Sequence, residues 1–317
     1  MADYRAIKGL SIQTVAGDPS TVQTGDIWYN SILGKIRGAK IAAGSWSTGG
    51  DLTTARSSLA GADSGTQTAA LAMGGDPART ESEEYDGSSW TEGNNINTGR
   101  QVLAGAGTQT AGLAFGGYST ANHDETEEYD GTSWTENGDL NTARRELTGC
   151  GTSTAGFAFG GQISAPQTLA ETYDGTSWTE VNDLNSERSE TPVGFGTTTA
   201  AVCAGGEIGP NTANSETYDG TSWTEGNNLN AAKSNLSGAG IATSGIAFGG
   251  NPALATTEEY DGTSWTEVAD LSTGRHTLAG AGTQSKAIAF GGATPTPAVA
   301  ATEEWDKSAA AVTMTSS

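Results

Sequence analysis

A chain of 317 residues with a net charge of −22 and 46 glycines could hold two or three domains, yet it carries no apolar run long enough to cross a membrane. The acidic excess opposes binding through phosphates and excludes nucleic acid and anionic membrane as partners for most of the chain. Two cysteines exclude a disulfide framework, and the opening Met1-Ala2-Asp3-Tyr4-Arg5 lacks the apolar centre of a signal peptide, so classical secretion is not expected.

Residues 1 to 43 do not repeat. They carry five basic and three acidic side chains, a balance of +2 that leaves −24 on the remainder. Asp18-Pro19-Ser20 reads as a turn. Gly25-Asp26-Ile27-Trp28-Tyr29-Asn30 followed by Gly34-Lys35-Ile36-Arg37 reads as a hairpin. This is a small β module, too short to fold alone, and it is expected to lean on the body or on another subunit. Trp28, Tyr29, Lys35 and Arg37 are its candidate anchoring residues.

From Trp46 the chain is periodic. Tyr129-Asp130-Gly131-Thr132-Ser133-Trp134-Thr135-Glu136 has close copies at Tyr85 to Glu92, Tyr173 to Glu180, Tyr218 to Glu225 and Tyr260 to Glu267, with damaged relatives at Trp46 and Trp305-Asp306. Between them falls Ala-Phe-Gly-Gly or a variant, ending at Gly75, Gly117, Gly161, Gly206, Gly250 and Gly292. A period in the low forties without helix formers predicts four short strands per unit. In the second unit these are strand A at Leu103 to Gly107, B at Gly112 to Gly116, C at Thr126 to Asp130 and D at Ser133 to Glu136. Leu113 and Phe115 alternate with Ala114 as a strand requires, and Asp130-Gly131 is the residue pair of a tight hairpin turn. Inner strands crowded around an axis would take Gly and Ala, and outer strands Tyr and Trp.

The expected fold is all-β: a six-bladed propeller over residues 44 to 317, preceded by the module of residues 1 to 43. The segment around Trp46 is expected to complete the sixth blade. The alternating tail Ala311-Val312-Thr313-Met314-Thr315 is a rival for that place.

Gly116, Gly117, Tyr129, Trp134 and Arg144, with their equivalents, resemble the kelch repeat, whose hallmarks are a double glycine, a Tyr, a Trp on the next strand and an Arg before the inner strand. The shorter Tyr-to-Trp interval departs from that pattern and implies a tighter outer hairpin. The resemblance implies a kelch-like propeller over residues 44 to 306 and says little about task. Ala6-Ile7-Lys8-Gly9, Gly25 to Ser31 and Gly34-Lys35 resemble the N-terminal segments of virion proteins from marine tailed bacteriophages. That resemblance implies a structural protein of a virus particle, made in the host cytoplasm. Residues 1 to 43 would bind other virion proteins or further copies of the chain, and the propeller would be displayed outward.

Each repeat places a basic residue before strand A: Arg56, Arg100, Arg144, Arg188, Lys233 and Arg275. These six would ring one mouth of an axial channel. Either they form an anion or sugar site there, or each ties down loop carbonyls or a nearby carboxylate; the structural role is the expected one. The acidic doublets Glu83-Glu84, Glu127-Glu128 and Glu258-Glu259 recur on strand C, which suits a solvated edge that resists strand pairing rather than an acid–base pair or a calcium site. Asp130 to Trp134 looks like the Asp-box of sialidases, but the Asp-to-Trp interval is one residue short and no trio of unique arginines accompanies it. The histidines, His123 and His276, supply too little for a metal site or a copper oxidase of the kelch kind. Cys150 and Cys203 stand where sister repeats have small residues and read as core fillers. No catalytic residue, metal or cofactor is expected.

Comparing the repeats with one another shows variation in the segments after each Gly-Gly: Asp76 to Thr80, Tyr118 to Thr126, Gln162 to Ala170, Glu207 to Ser215, Asn251 to Thr256 and Ala293 to Ala301. These B-to-C loops would share one face with the basic ring, and loops on a rigid frame are where binding resides. Tyr118, His123, Ile163, Ile208 and Leu254 are the candidate contact residues for a host-surface glycan or protein. The readings kept open are host attachment, decoration of the particle without a receptor, and a cytoplasmic interaction scaffold.

Overall fold

The computed structural model describes residues 12–23, 25–41 and 43–314. The Ala6-Ile7-Lys8-Gly9 stretch and Thr315 lie outside the described residues. The chain divides into two units, one made of residues up to Gly44 with those from Lys307, the other of Ser45–Asp306. All regular structure among the described residues is β, in seven four-stranded sheets.

The smaller unit holds one of these sheets. Gln13–Val15 runs parallel to Ile27–Asn30, which forms the expected hairpin with Lys35–Ile41. The far edge of that hairpin pairs with Ala309–Thr313, with Val312 opposite Gly38. The tail, the rival for the last repeat's outer place and included with the repeats by the expected boundary of 44 to 317, thus belongs to the smaller unit's sheet. The outer place in the last repeat's sheet is filled by Ser45–Thr48, with Trp46 opposite Trp305, whereas the edge of Lys35–Ile41 offered unpaired backbone groups. Asp18 is the polar hub of the unit: it accepts from Trp28 Nε1 at 3.1 Å, Asn30 Nδ2 at 2.8 Å and Arg37 Nη2 at 2.8 Å.

The larger unit holds the other six sheets. In the second repeat the strands are Ala104–Thr108, Ala111–Phe115, Thr126–Tyr129 and Trp134–Asn137, an antiparallel meander in spatial order. Leu113 pairs with Ala106, and Tyr129 with Trp134. Strand D begins one residue later than expected because Ser133 belongs to the turn. Asp130 Oδ1 accepts from the backbone N–H of Thr132 at 2.8 Å and of Ser133 at 2.7 Å. The turn spans four residues, and of Asp130 and Gly131 only the glycine has a positive φ, 87°. The tight two-residue turn expected for Asp130-Gly131 is thus replaced by a loop that an aspartate side chain organises.

Both faces of each sheet are buried, which explains why strand B reads as almost continuously apolar. Leu113 and Phe115 pack in one cluster with Tyr173 and Trp178 of the third repeat, while Ala114 packs in another with Leu71 and Met73 of the first. Among the described residues six such clusters occur, each built from two neighbouring repeats. Close approach of the sheets sets the composition of the inner strands: a Cβ on Gly149 would lie 2.4 Å from the Phe115 ring. The inner strand therefore takes glycine because an aromatic of the preceding repeat occupies the space a side chain would need. Each first strand ends its sheet and packs on the first strands of its neighbours, a propeller-like arrangement.

Sheets are also joined at their outer strands. Tyr129 Oη donates to Glu84 of the preceding repeat, Tyr173 Oη to Glu128 at 2.7 Å, and Tyr85 Oη to Glu304 at 2.6 Å. Burial and the carboxylate together push the Tyr85 phenol up to about 12. Where the third and fourth repeats carry Thr172 and Thr217 in place of the second glutamate, Tyr218 and Tyr260 make no such bond.

Two outcomes follow. Tyr129→Phe should lower stability by about 1–2 kcal/mol, since its hydroxyl bonds to a charged acceptor, whereas Tyr218→Phe should be near neutral; urea unfolding compares them. The turn aspartates Asp86, Asp130, Asp174, Asp219 and Asp261 are held below the usual carboxylate range, first by the N–H of the serine three residues on and then by the N–H two residues on, or in Asp86 by the Ser88 hydroxyl; Asp86 lies at about 2. Because their folded values are depressed, their contribution is present above the unfolded value of about 3.9 and is lost as pH falls through the folded values, about 2 for Asp86. Replacing all five with Asn should flatten the fall in melting temperature across that window.

Candidate functional site

The six basic residues are buried, and each is bound within its own repeat rather than turned to an axis. Arg100 Nη2 meets Glu127 Oε1 at 2.7 Å, and Nη1 donates to the carbonyls of Gly116 and Glu125 at 3.1 and 2.6 Å. Glu127 Oε2 in turn accepts from Asn97 Nδ2 at 2.9 Å, so the pair fixes both the link into strand A and the base of the B-to-C loop. The same pairing joins Arg56 to Glu83, Arg144 to Glu171, Arg188 to Glu216, Lys233 to Glu258 and Arg275 to Glu303. Burial pulls the guanidinium groups of Arg56, Arg100 and Arg275 below their ordinary range, and the partner carboxylates oppose it.

The acidic doublets are correspondingly not solvated edges. Their first members, Glu83, Glu127 and Glu258, are buried ion-pair partners, and Glu84 and Glu128 accept from the tyrosines of the following repeats. The sequence pattern could not show this, because the partner arginine lies 27 residues away from Glu127 and the tyrosine 45 from Glu84.

What surrounds the centre is a chain of backbone hydrogen bonds that returns to its start. Val102 N–H donates to Ser58 O, Glu146 to Val102, Thr191 to Glu146, Asn235 to Glu190, Thr277 to Asn235 and Ser58 to Thr277, at 2.6 to 3.1 Å. Every one of these residues lies in the left-handed region, with φ from 45° to 57°. Strain of this kind on non-glycine residues persists only where the surroundings impose it, and it clusters at functional sites. Ser58, Val102, Glu146, Glu190, Asn235 and Thr277 differ in chemistry on a repeating backbone.

On one side of this ring the polar groups converge. The Arg145 guanidinium lies 5.1 Å from the Tyr118 ring centroid and donates to Asn122 Oδ1 at 2.9 Å, Gln162 Oε1 at 2.7 Å and Glu146 Oε1 at 3.3 Å. Glu146 Oε2 is buried without a hydrogen-bond partner. Burial first, and then the charge of Glu190, pushes the Glu146 carboxyl up, against the pull of Arg145. Glu190 is held by Asn235 Nδ2, and burial lowers the His276 imidazole while Glu190 opposes that.

Tyr118 thus falls in the cluster, half-buried. His123 is a loop pin, with Nε2 at 2.6 Å from Ser119 Oγ and Nδ1 at 2.7 Å from Glu125 Oε2. Ile163 and Ile208 are exposed at loop tips, and Leu254 is half-buried. Of the anchoring candidates, Tyr29 and Lys35 are exposed, but Trp28 is core and Arg37 is tied to Asp18 and Thr313, both for want of another place to satisfy their polar groups. Arg145, Glu146, Glu190 and Asn235 were not singled out from sequence. Their signal was the pair of residues after each basic residue, which changes from repeat to repeat. Cys150 and Cys203 are buried free thiols, pushed up by burial.

No protein-family model and no curated protein matches the chain. Among solved structures, one titled "Structure of YjhT" is similar at 12% identity with a TM-score of 0.70, over 84% of this chain and 100% of that one. At that identity the likeness shows the fold alone, an all-β, propeller-like chain, and the fold does not fix a task.

Removing one partner of a buried pair leaves a buried charge. Arg100→Ala should cost about 3–5 kcal/mol in urea unfolding, and the double change Arg100→Met with Glu127→Leu should cost clearly less.

Proposed function

We propose that Ser45–Asp306 is a six-bladed, kelch-like propeller, closed by pairing of Ser45–Thr48 with the last repeat. It serves as a non-enzymatic display platform on a virus particle, anchored through the smaller unit. The loop face, centred on Tyr118, Arg145 and Glu146, attaches to a glycan or protein of a host envelope.

The distribution of exposed apolar side chains carries this reading. Ile12, Ile27, Tyr29, Ile32, Leu33, Ile36 and Met314 stand exposed on the smaller unit, against Ile163, Ile208 and Ile241 on the far larger one. So small a unit with so much exposed apolar surface is built to be covered. The resemblance of Gly25 to Lys35 to virion proteins supports a particle component as the cover. The charge split, +2 against −24, supports docking between basic and acidic surfaces. On the loop face, an aromatic ring beside a guanidinium, two amides and two carboxylates offers the flat surface and mixed donors and acceptors that polyhydroxyl ligands use.

The test uses purified full-length protein, with its assembly state measured by light scattering and its binding measured on bacterial cells and a glycan array. Ile27→Ser with Ile36→Ser should reduce assembly while leaving the melting temperature of the propeller unchanged. Tyr118→Ala with Arg145→Ala should abolish binding by a protein that still assembles. Assembly without any binding in the parent would remove the attachment role and leave decoration of the particle.

A further inference from the structure

The first repeat is two residues longer between its inner-strand leucine and its double glycine than the other repeats, as Leu59 to Gly74 compares with Leu103 to Gly116, and the additional residues are Asp63 and Ser64. The insertion does not bulge outward. Ser64 Oγ donates to Gly151 O of the third repeat at 2.8 Å, and Asp63 O accepts from Gly282 N–H of the sixth at 3.3 Å. It therefore reaches across the centre to two repeats that are not adjacent to each other.

There it forms part of a central cavity lined by the inner strands of all six repeats. Leu59, Leu103, Leu147, Leu236 and Leu278 border it but turn their tips onto the double glycines of the neighbouring repeats, and no lining residue is basic. Asp63 is the one acidic residue in the lining. It is 8% exposed, and its Oδ1 has no hydrogen-bond partner. Burial pushes its carboxyl well above the ordinary range, while the backbone N–H groups of Ser64, Gly151 and Gly107 hold it down.

A buried, unpartnered carboxylate oxygen is costly unless a donor of positive charge meets it. An anion is repelled there, and a divalent metal needs several oxygen ligands, whereas no group of three metal-ligating side chains occurs among the described residues. A compact ammonium group fits instead, since its three N–H donors suit Oδ1. The strongly acidic body draws cations towards it. We propose that the central cavity is a binding site for a small primary ammonium compound, its nitrogen on Asp63 Oδ1.

Isothermal titration calorimetry of the full chain with ethylammonium provides the test, with sodium and tetramethylammonium at the same ionic strength as controls, since neither has an N–H donor. Saturable binding of ethylammonium alone is expected, weakened at least tenfold in Asp63→Asn. Ser237→Phe, which narrows the cavity while leaving Asp63 intact, should lose the response too and keeps the test open if the first variant does not fold. No saturable heat from ethylammonium, an equal response to sodium, or undiminished binding in either folded variant would overturn the proposal.

Discussion

One buried ion pair per repeat is the interaction on which the rest depends. A charged side chain removed from water must be matched, and the match here is made across the repeat, from the residue before the inner strand to a glutamate on the third strand. Arg100 and Glu127 are typical: the guanidinium also takes the carbonyls of Gly116 and Glu125, and the carboxylate also takes the link at Asn97. A single pair thereby fixes where the loop between the second and third strands leaves the sheet. With its base held, the loop is free to vary at its tip.

Between repeats the forces differ. Each sheet buries aromatic and aliphatic groups on both faces, so neither a sheet nor its cluster is complete alone. Tyr–Glu bonds add a polar tie at the outer strands where the second glutamate is present. At the centre the tie is made by backbone alone, through peptide groups of residues held at positive φ. Because that bond uses no side chain, the six side chains at those places are released from the repeat's demands. Glu146, Glu190 and Asn235 stand where the frame asks for nothing, which is why chemistry can gather there.

Much of this was legible in the sequence. The period, the double glycines and the Tyr-to-Trp hairpins specify strand number and order, because alternation and turn residues act over a few positions. The basic residues were legible as a set. Their direction was not, since Arg56 and Glu83 are 27 residues apart and nothing local says that they meet. The doublets misled for the same reason: Glu127 and Glu128 are adjacent in sequence but point to different partners, one within its repeat and one in the next. In the smaller unit, Trp28 looked like an exposed anchor and is core, because its partner Asp18 comes from a turn that the hairpin pattern does not include.

By itself, then, the sequence determined that this protein is a repeating array of short antiparallel strands, with glycine on the inside and tyrosine and tryptophan further out. Those features follow from backbone sterics and side-chain alternation, which are local. Only the tertiary structure decided which strand takes the outer place beside Thr302–Asp306, which unit receives Ala309–Thr313, and that a two-residue insertion carries Asp63 across to the third and sixth repeats. These are contacts between residues far apart in the chain. Their geometry exists only once the sheets have packed and left one edge open, one place filled and one carboxylate facing the centre.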